Sequence, residues 1–278
     1  MPANVHVIGW IRNMKFLQTD SIRGRLNRAL LRAAQRVAPS SIQSADVTRD
    51  KHNLDDETIT LWGRVKSRTM TSILRIDALR TAIEFVHANS IAGDIVECGV
   101  WRGGSMMAAG LTLLRLGSTR PLWLYDTFAG MPPPEKVDVD FMGRSAADLL
   151  ASEVPDTSLI WAKSTLEDVK AGLAGTNYPA TQIKYVVGPV ESTIPANIPD
   201  KISLLRLDTD WFSSTYHELV HLWPRITQGG ILILDDYGYW AGAKKAVDQY
   251  FGERGIHPLL HRIDETGRLI IKCGMCGN

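Results

Sequence analysis

Two apolar runs in this chain end in acids. Ile202-Ser-Leu-Leu-Arg-Leu207 leads into Asp208-Thr-Asp210, and Ile231-Leu-Ile-Leu234 leads into Asp235-Asp236. If the two runs are neighbouring strands, four carboxylates meet at one rim of a sheet. Carboxylates that close repel one another and raise each other's pKa, so something must relieve them. Arg206, Lys244 and Lys245 could pair with some, and others could cap helices. A hard divalent cation with oxygen ligands, magnesium or manganese, answers the chemistry of the whole set.

A second group of residues lies earlier. Asp94-Ile-Val-Glu-Cys98 reads as a short strand, followed by a turn over Gly99 to Gly104 and a helix from Ser105 to Leu116. Gly99 permits a tight turn, while Gly103 and Gly104 let backbone approach a ligand. The start of the following helix favours a negative group. The next strand, Pro121 to Asp126, ends in an acid placed to accept hydrogen bonds from ribose hydroxyls or to cap the next segment. Taken together the two strand ends suggest an adenosine ligand. His217 and His221 are four residues apart, hence on one helical face, and His217 is a reserve candidate for a general base. Tyr237, Tyr239 and Trp240 come after the second acidic pair and read equally as a wall for a sugar or aromatic ring or as core.

The elements that must hold these residues alternate in type. Helical periodicity covers 70–88, 164–173 and 241–252, and a capping box at Thr215-x-x-Glu218 precedes a helix containing Leu219 and Leu222. Ile183–Val187 is a further strand. Gly229-Gly230 breaks the chain before the strand Ile231–Leu234, and residues 257–263 and 268–272 form a closing hairpin. Such alternation predicts an α/β fold, a mostly parallel sheet with helices on both faces, whose ligands sit at the carboxyl ends of the strands. The stretch 127–160 is a long loop with one short helix, of the length that usually serves function.

Composition narrows the field further. The chain has 278 residues, 45% of them hydrophobic, and a net charge of +1. A sizeable core is expected, and no global field recruits nucleic acid or anionic lipid. Residues 21–38 interleave Arg23, Arg25, Arg28, Arg32 and Arg36 with apolar positions, as in an amphipathic helix. This favours an N-terminal helical arm or lid over 1–67 that packs on the body or a second subunit, ahead of a catalytic domain over 68–278. Cys98 reads as a buried small hydrophobe, and Cys273 and Cys276 as part of a plain tail. No membrane span or secretory leader is expected, which makes cytoplasmic residence the default.

Four runs then carry a resemblance: 96–105, Tyr125-Asp-Thr-Phe-Ala-Gly-Met-Pro132, Leu207-Asp-Thr-Asp-Trp-Phe-Ser-Ser-Thr215 and Gly229-Gly-Ile-Leu-Ile-Leu-Asp-Asp-Tyr237. In that order they resemble the macrocin O-methyltransferase family, from about residue 68 to about residue 252. The resemblance implies a Rossmann-like class I methyltransferase fold with a seven-stranded sheet, S-adenosylmethionine and magnesium. It implies Asp208, Asp235 and Asp236 as metal ligands and Asp210 as the general base. By the same route Glu97, Gly99, Gly103 and Ser105 fall at the methionine end of the cofactor, and Asp126 and Thr127 at its ribose. The implied acceptor is a small molecule with a hydroxyl, glycosidic in the sense that family members methylate sugars of antibiotics. The implied assembly is a homodimer or larger homo-oligomer. Trp211-Phe212 is more aromatic than the family's pattern, which puts the acceptor pocket in question. Two other classes stay open: a non-catalytic scaffold on the same fold, and an NAD-dependent oxidoreductase, whose turn would normally read G-x-G-x-x-G.

Overall fold

A computed structural model describes residues 54–155 and 158–274. The amphipathic arm expected over 21–38 and Cys276 lie outside the described residues. From Leu54 onward the chain forms one compact unit. Its helices are α1 (Asp56–Val65), α2 (Ile73–Ala88), α3 (Gly104–Arg115), α4 (Ala146–Ala151), α5 (Leu166–Ala174), α6 (Val190–Thr193), α7 (Phe212–Leu222) and α8 (Ala241–Glu253). Its strands are β1 (Asp94–Cys98), β2 (Leu122–Asp126), β3 (Ile183–Val187), β4 (Ile202–Leu207), β5 (Ile226–Leu234), β6 (His261–Arg262) and β7 (Arg268–Ile271).

The seven strands make one sheet in the order β3-β2-β1-β4-β5-β7-β6. The first five are parallel, and β7 runs antiparallel to β5. Side chains alternate across each strand. Ile95, Leu204, Ile231 and Ile233 therefore face α1, α2 and α3, while Val96, Leu205, Leu232 and Leu234 face α7 and α8. Both faces are covered, which is why β4 is buried along its whole length.

Three sequence expectations change. The strand before Asp235 does not break at Gly229-Gly230 but runs through them, with a register shift against β4 between Ile202 and Leu204. Gly229 sits at φ +79°, within the stretch where the ladder with β4 is irregular. Residues 54–67, read as part of the arm, supply α1, whose Leu61 and Val65 join the same apolar cluster as α2. The helix expected after Thr215 begins at Phe212, placing Thr215 inside its first turn. Its amino end is capped from afar, because Asp138 Oδ1 accepts the Phe212 N–H at 2.9 Å. No local pattern could reveal a cap 74 residues away.

That cap also pins the long loop. Asp138 is fully buried and takes the Glu135 N–H at 2.6 Å as well. The loop then bridges to Trp240 through Asp140, and the Ala241 N–H bonds to the Val139 carbonyl at 2.9 Å. Gly242 leaves room for this junction, since a Cβ there would overlap Asp138 Oδ1 and lie 3.1 Å from Phe212 N. Gly242→Ala is therefore expected to dislodge the loop from α7 and α8 and to cost about 1–3 kcal/mol, the usual cost of overpacking. Urea unfolding measures it, and a loss below about half a kcal/mol, the scatter of a neutral surface change, would mean that the loop is not seated by this contact.

Candidate active site

The carboxyl ends of β1, β2, β3, β4 and β5 open onto a cavity of about 440 Å³, within the range of small-molecule pockets. Gly99, Trp101, Asp126 and Thr127 line it at β1 and β2, and Gly188 to Glu191 line it after β3. Asp208, Thr209, Asp210, Asp235 and Asp236 line it at β4 and β5. Met131, Pro132, Leu159 and Ile160 from the long loop, with Tyr239 and Trp240, add an apolar wall.

The two acidic strand ends are neighbours, as β4 pairs with β5. Oxygens of Asp208, Asp210 and Asp236 lie within 4.8 Å of one another. Asp210 adopts a left-handed backbone, φ +65°, and so turns its side chain back into the cluster. Burial pushes the Asp210 carboxyl up to about 7, with Asp236 as its hydrogen-bond partner. Burial, reinforced by Asp210 and Asp235, pushes Asp236 up as well, and Asp236 Oδ2 is buried without a partner. Asp208 is raised by burial and by Asp235 and Asp236, against the pull of Arg206.

Asp235 is held differently. Arg206 Nη2 and the Thr71 hydroxyl donate to its Oδ1, and Arg75 Nη1 donates to its Oδ2. Burial opposes its ionisation, but Arg206 and Arg75 outweigh that and hold its pKa down. Asp208, Asp210 and Asp236 thus converge, while Asp235, one of the expected ligands, is bonded by two guanidinium groups. Arg206 is itself buried, and its Nη1 donates to Glu97 Oε1 and Asp208 Oδ2, both at 2.7 Å. Glu97 and Arg206 are register partners on β1 and β4. Arg75 also bonds Asp264 at 2.8 Å, and the Ser72 hydroxyl bonds the same carboxylate at 2.7 Å.

Arg75 is a site residue that the sequence reading missed. It lies in the first turn of α2, where the helix dipole favours acids over bases. A basic residue just after the N-cap Ser72 is the signal that could have flagged a carboxylate partner from elsewhere.

The expected cofactor residues divide. Gly99, Asp126 and Thr127 line the cavity. Asp126 already accepts the Val100 and Trp101 N–H groups at 2.7 and 2.9 Å and that of Phe128 at 2.7 Å, so it also shapes the turn after β1. Burial still raises its pKa, with those three bonds acting in the opposite sense. Gly103 and Ser105 do not line the cavity, and Gly103 would set a Cβ 3.1 Å from Val169. Gly104 likewise admits Thr69, not a ligand. Glu97 lies beneath the cavity floor, paired with Arg206, its Oε2 unpartnered and its carboxyl pushed up to about 8 by burial. Gly99 has a second reason to lack a side chain, since a Cβ there would overlap the Asp208 carbonyl.

His217 is set apart from the cavity. Its Nε2 lies 3.1 Å from the Ile194 carbonyl, and its ring packs on His221 at 4.5 Å. Trp211 and Phe212 do not line the cavity either: Trp211 is fully buried against Trp240, with its indole N–H bonded to the Pro132 carbonyl at 2.9 Å. Of the three aromatic residues after Asp236, Tyr239 and Trp240 face the cavity, while the Tyr237 hydroxyl bonds Asp248 at 2.7 Å.

The parallel sheet with a reversed β7, and a cavity at its carboxyl rim, define the class I methyltransferase fold. The chain belongs to the macrocin-O-methyltransferase (TylF) family, whose profile matches residues 20–271. That match extends beyond the resemblance visible in the motifs at both ends. The chain is 34% identical over 211 residues to the 8-demethyl-8-(2,3-dimethoxy-alpha-L-rhamnosyl)-tetracenomycin-C 4'-O-methyltransferase of Streptomyces olivaceus, covering 74% of this chain and 76% of the relative. It is 31% identical over 202 residues to the demethyldecarbamoylnovobiocin O-methyltransferase of Streptomyces niveus, covering 72% and 74%. The solved structure of the O-methyltransferase NovP superposes with a TM-score of 0.64 at 31% identity, over 74% of this chain and 83% of that one. The SAH-bound methyltransferase PaMTH1 of Podospora anserina shares the fold, at 14% identity and a TM-score of 0.52, over 94% and 100%. The protein is an O-methyltransferase, which displaces the oxidoreductase and scaffold readings. No helix among the described residues is long and apolar enough to cross a membrane.

Proposed function

We propose that the protein transfers a methyl group from S-adenosylmethionine to a sugar hydroxyl of a glycosylated natural product, with a divalent cation, magnesium or manganese, in the carboxylate cluster. The metal reading rests on a charge imbalance. Glu97, Asp208, Asp210, Asp235, Asp236 and Asp264 face two guanidinium groups, Arg75 and Arg206. Buried carboxylates in such excess must hold protons or a cation. Asp208 and Asp236 would hold the ion, the orphaned Asp236 Oδ2 fitting that role, and Asp210 beside them is left as the base.

When bound, S-adenosylmethionine supplies an electrophilic sulfonium methyl, and the cation makes an alcohol easier to ionise and fixes its position. The protein's own part is positional and basic. Gly99, Trp101, Asp126 and the Gly188–Glu191 turn shape the donor end of the cavity, and Tyr239 and Trp240 give the acceptor ring a flat apolar face. Asp210 would take the acceptor hydroxyl's proton as that oxygen accepts the methyl group. Burial raises its carboxyl toward neutrality in the metal-free protein, the direction that suits a general base. Met131, Pro132, Leu159 and Ile160 of the long loop would keep water from the reacting atoms. The carbohydrate acceptor is supported by the activities named for the relatives. The same reading has the protein acting as a homo-oligomer in the cytoplasm, which sedimentation and cell fractionation test.

Methyl transfer from labelled donor to rhamnosylated aromatic glycosides and to demethyldecarbamoylnovobiocin, with magnesium and with EDTA, tests the proposal. Transfer that EDTA abolishes is the expected result, and EDTA-resistant transfer would overturn the metal part alone. A pH test needs no acceptor. The Asp210 carboxyl is raised from its ordinary 3.8 to about 7, so its folded-state proton stabilises the metal-free protein fully below that lower value. The contribution is lost as pH rises through about 7, and the same deprotonation creates the form that binds cations. The gain in melting temperature from millimolar magnesium should therefore be larger, by a few degrees, near pH 8 than near pH 6. A gain that shrinks as pH rises would count against the carboxylate site.

A further inference from the structure

Glu218 is a buried carboxyl group with no part in the reaction above. It projects from α7 and is fully buried beneath the turn that joins β4 to that helix. Its Oε2 accepts the Thr209 hydroxyl at 3.1 Å, and its Oε1 has no hydrogen-bond partner. The Cys98 thiol, at the end of β1, lies beside the same group. Burial pushes the Glu218 carboxyl well above the usual carboxylate range, with the Thr209 hydroxyl acting in the opposite sense.

Thr209 stands between Asp208 and Asp210 and lines the cavity with them. The turn they form is tied on one side by the Asp208 N–H, which bonds the Cys98 carbonyl at 2.9 Å. Within the turn, the Trp211 N–H reaches the Thr209 carbonyl at 2.7 Å. Asp210 then takes its left-handed conformation, which a non-glycine residue keeps only when its surroundings over-determine it. The side-chain tie in the middle of this turn comes from Glu218.

We propose that Glu218 is a positioning residue: by holding the Thr209 hydroxyl from beneath, it fixes the turn through which Asp208 and Asp210 are presented to the acceptor. The inference rests on the reading that those two aspartates do the work. It requires a hydrogen-bond acceptor of glutamate's size, not a charge. The carboxamide of Glu218→Gln satisfies that requirement, whereas Glu218→Ala and Thr209→Val each cut the tie.

Hydrogen exchange of the 207–213 segment tests the proposal without metal or acceptor. Wild type and Glu218→Gln should protect these amides alike, while Glu218→Ala and Thr209→Val should exchange them about 10-fold faster or more, the signature of a locally loosened turn. On a glycoside that wild type methylates, the two cut variants should lose about 10- to 100-fold in kcat, with the donor's KM unchanged, as for residues that orient reacting groups. Unchanged exchange in Glu218→Ala, with only a lower melting temperature, would overturn the proposal and leave Glu218 as core filler. Loss in Glu218→Gln equal to that in Glu218→Ala would also overturn it, because the charge would then matter. Altered exchange in a protein whose wild type methylates nothing would keep the tie and sink the functional reading instead.

Discussion

Arg206→Met is expected to destabilise the protein by about 3–5 kcal/mol, the usual range for stranding buried charge. The guanidinium is 4% exposed and donates to Glu97, Asp208 and Asp235. Methionine matches much of its volume but leaves three buried carboxyl groups without their shared partner. Asp235 keeps Arg75, but Glu97 and Asp208 can then be relieved by protonation, so their folded pKa values rise further above the unfolded ones. By linkage the remaining stability is greatest below about pH 4 and falls as pH rises, so the deficit widens toward neutrality. Arg206→Lys should recover only part of the loss, because a single ammonium cannot reproduce the fork that reaches three acceptors. Urea unfolding at two pH values measures both effects. A loss below about 1 kcal/mol, or one independent of pH, would show that the arginine does not compensate these charges.

Asp208→Asn should do the reverse, removing activity while sparing the fold. The carboxamide oxygen can still accept from Arg206 Nη1, now 2.7 Å from Asp208 Oδ2, and one negative charge leaves a cluster that already raises Asp208 through burial and through Asp235 and Asp236. Melting temperature should therefore hold within a few degrees or rise, as when a strained active site is relaxed. Methyl transfer should fall about 10³-fold, on the order of 4 kcal/mol in barrier, if Asp208 has the cation-holding role proposed for it. Parallel melting and radiolabel assays decide the matter. Retained transfer would remove Asp208 from the machinery, and loss of folding together with activity would mean that it acts as a structural acid.

Some of this site is legible from local pattern. Apolar runs ending in Asp208-Thr-Asp210 and Asp235-Asp236 read as adjacent strand ends, and β4 and β5 are adjacent. Gly99 and Asp126 read as cavity residues for a related reason: a turn and an acid at successive strand ends have few other uses in such a sheet. Residues whose role depends on register were out of reach. Glu97, which the resemblance sets at the cofactor, also pairs from β1 with Arg206 on β4, a contact no motif announces. Nothing in the order of residues says that Arg75, in the first turn of α2, meets Asp235, 160 positions away. His217 shows the opposite error, since helical spacing set it beside His221 correctly but did not say which way that face of α7 turns.

The alternation of strands and helices, the family, and the acids that gather at the rim are all written in the order of residues, because periodicity and strand-end chemistry are local properties. How those acids are shared out among cluster and arginines is a property of the folded chain. Asp208, Asp210 and Asp236 converge while Asp235 is taken by Arg75 and Arg206. Burial strips water from every carboxylate in the cluster, and the guanidinium groups within reach replace it for only some of them.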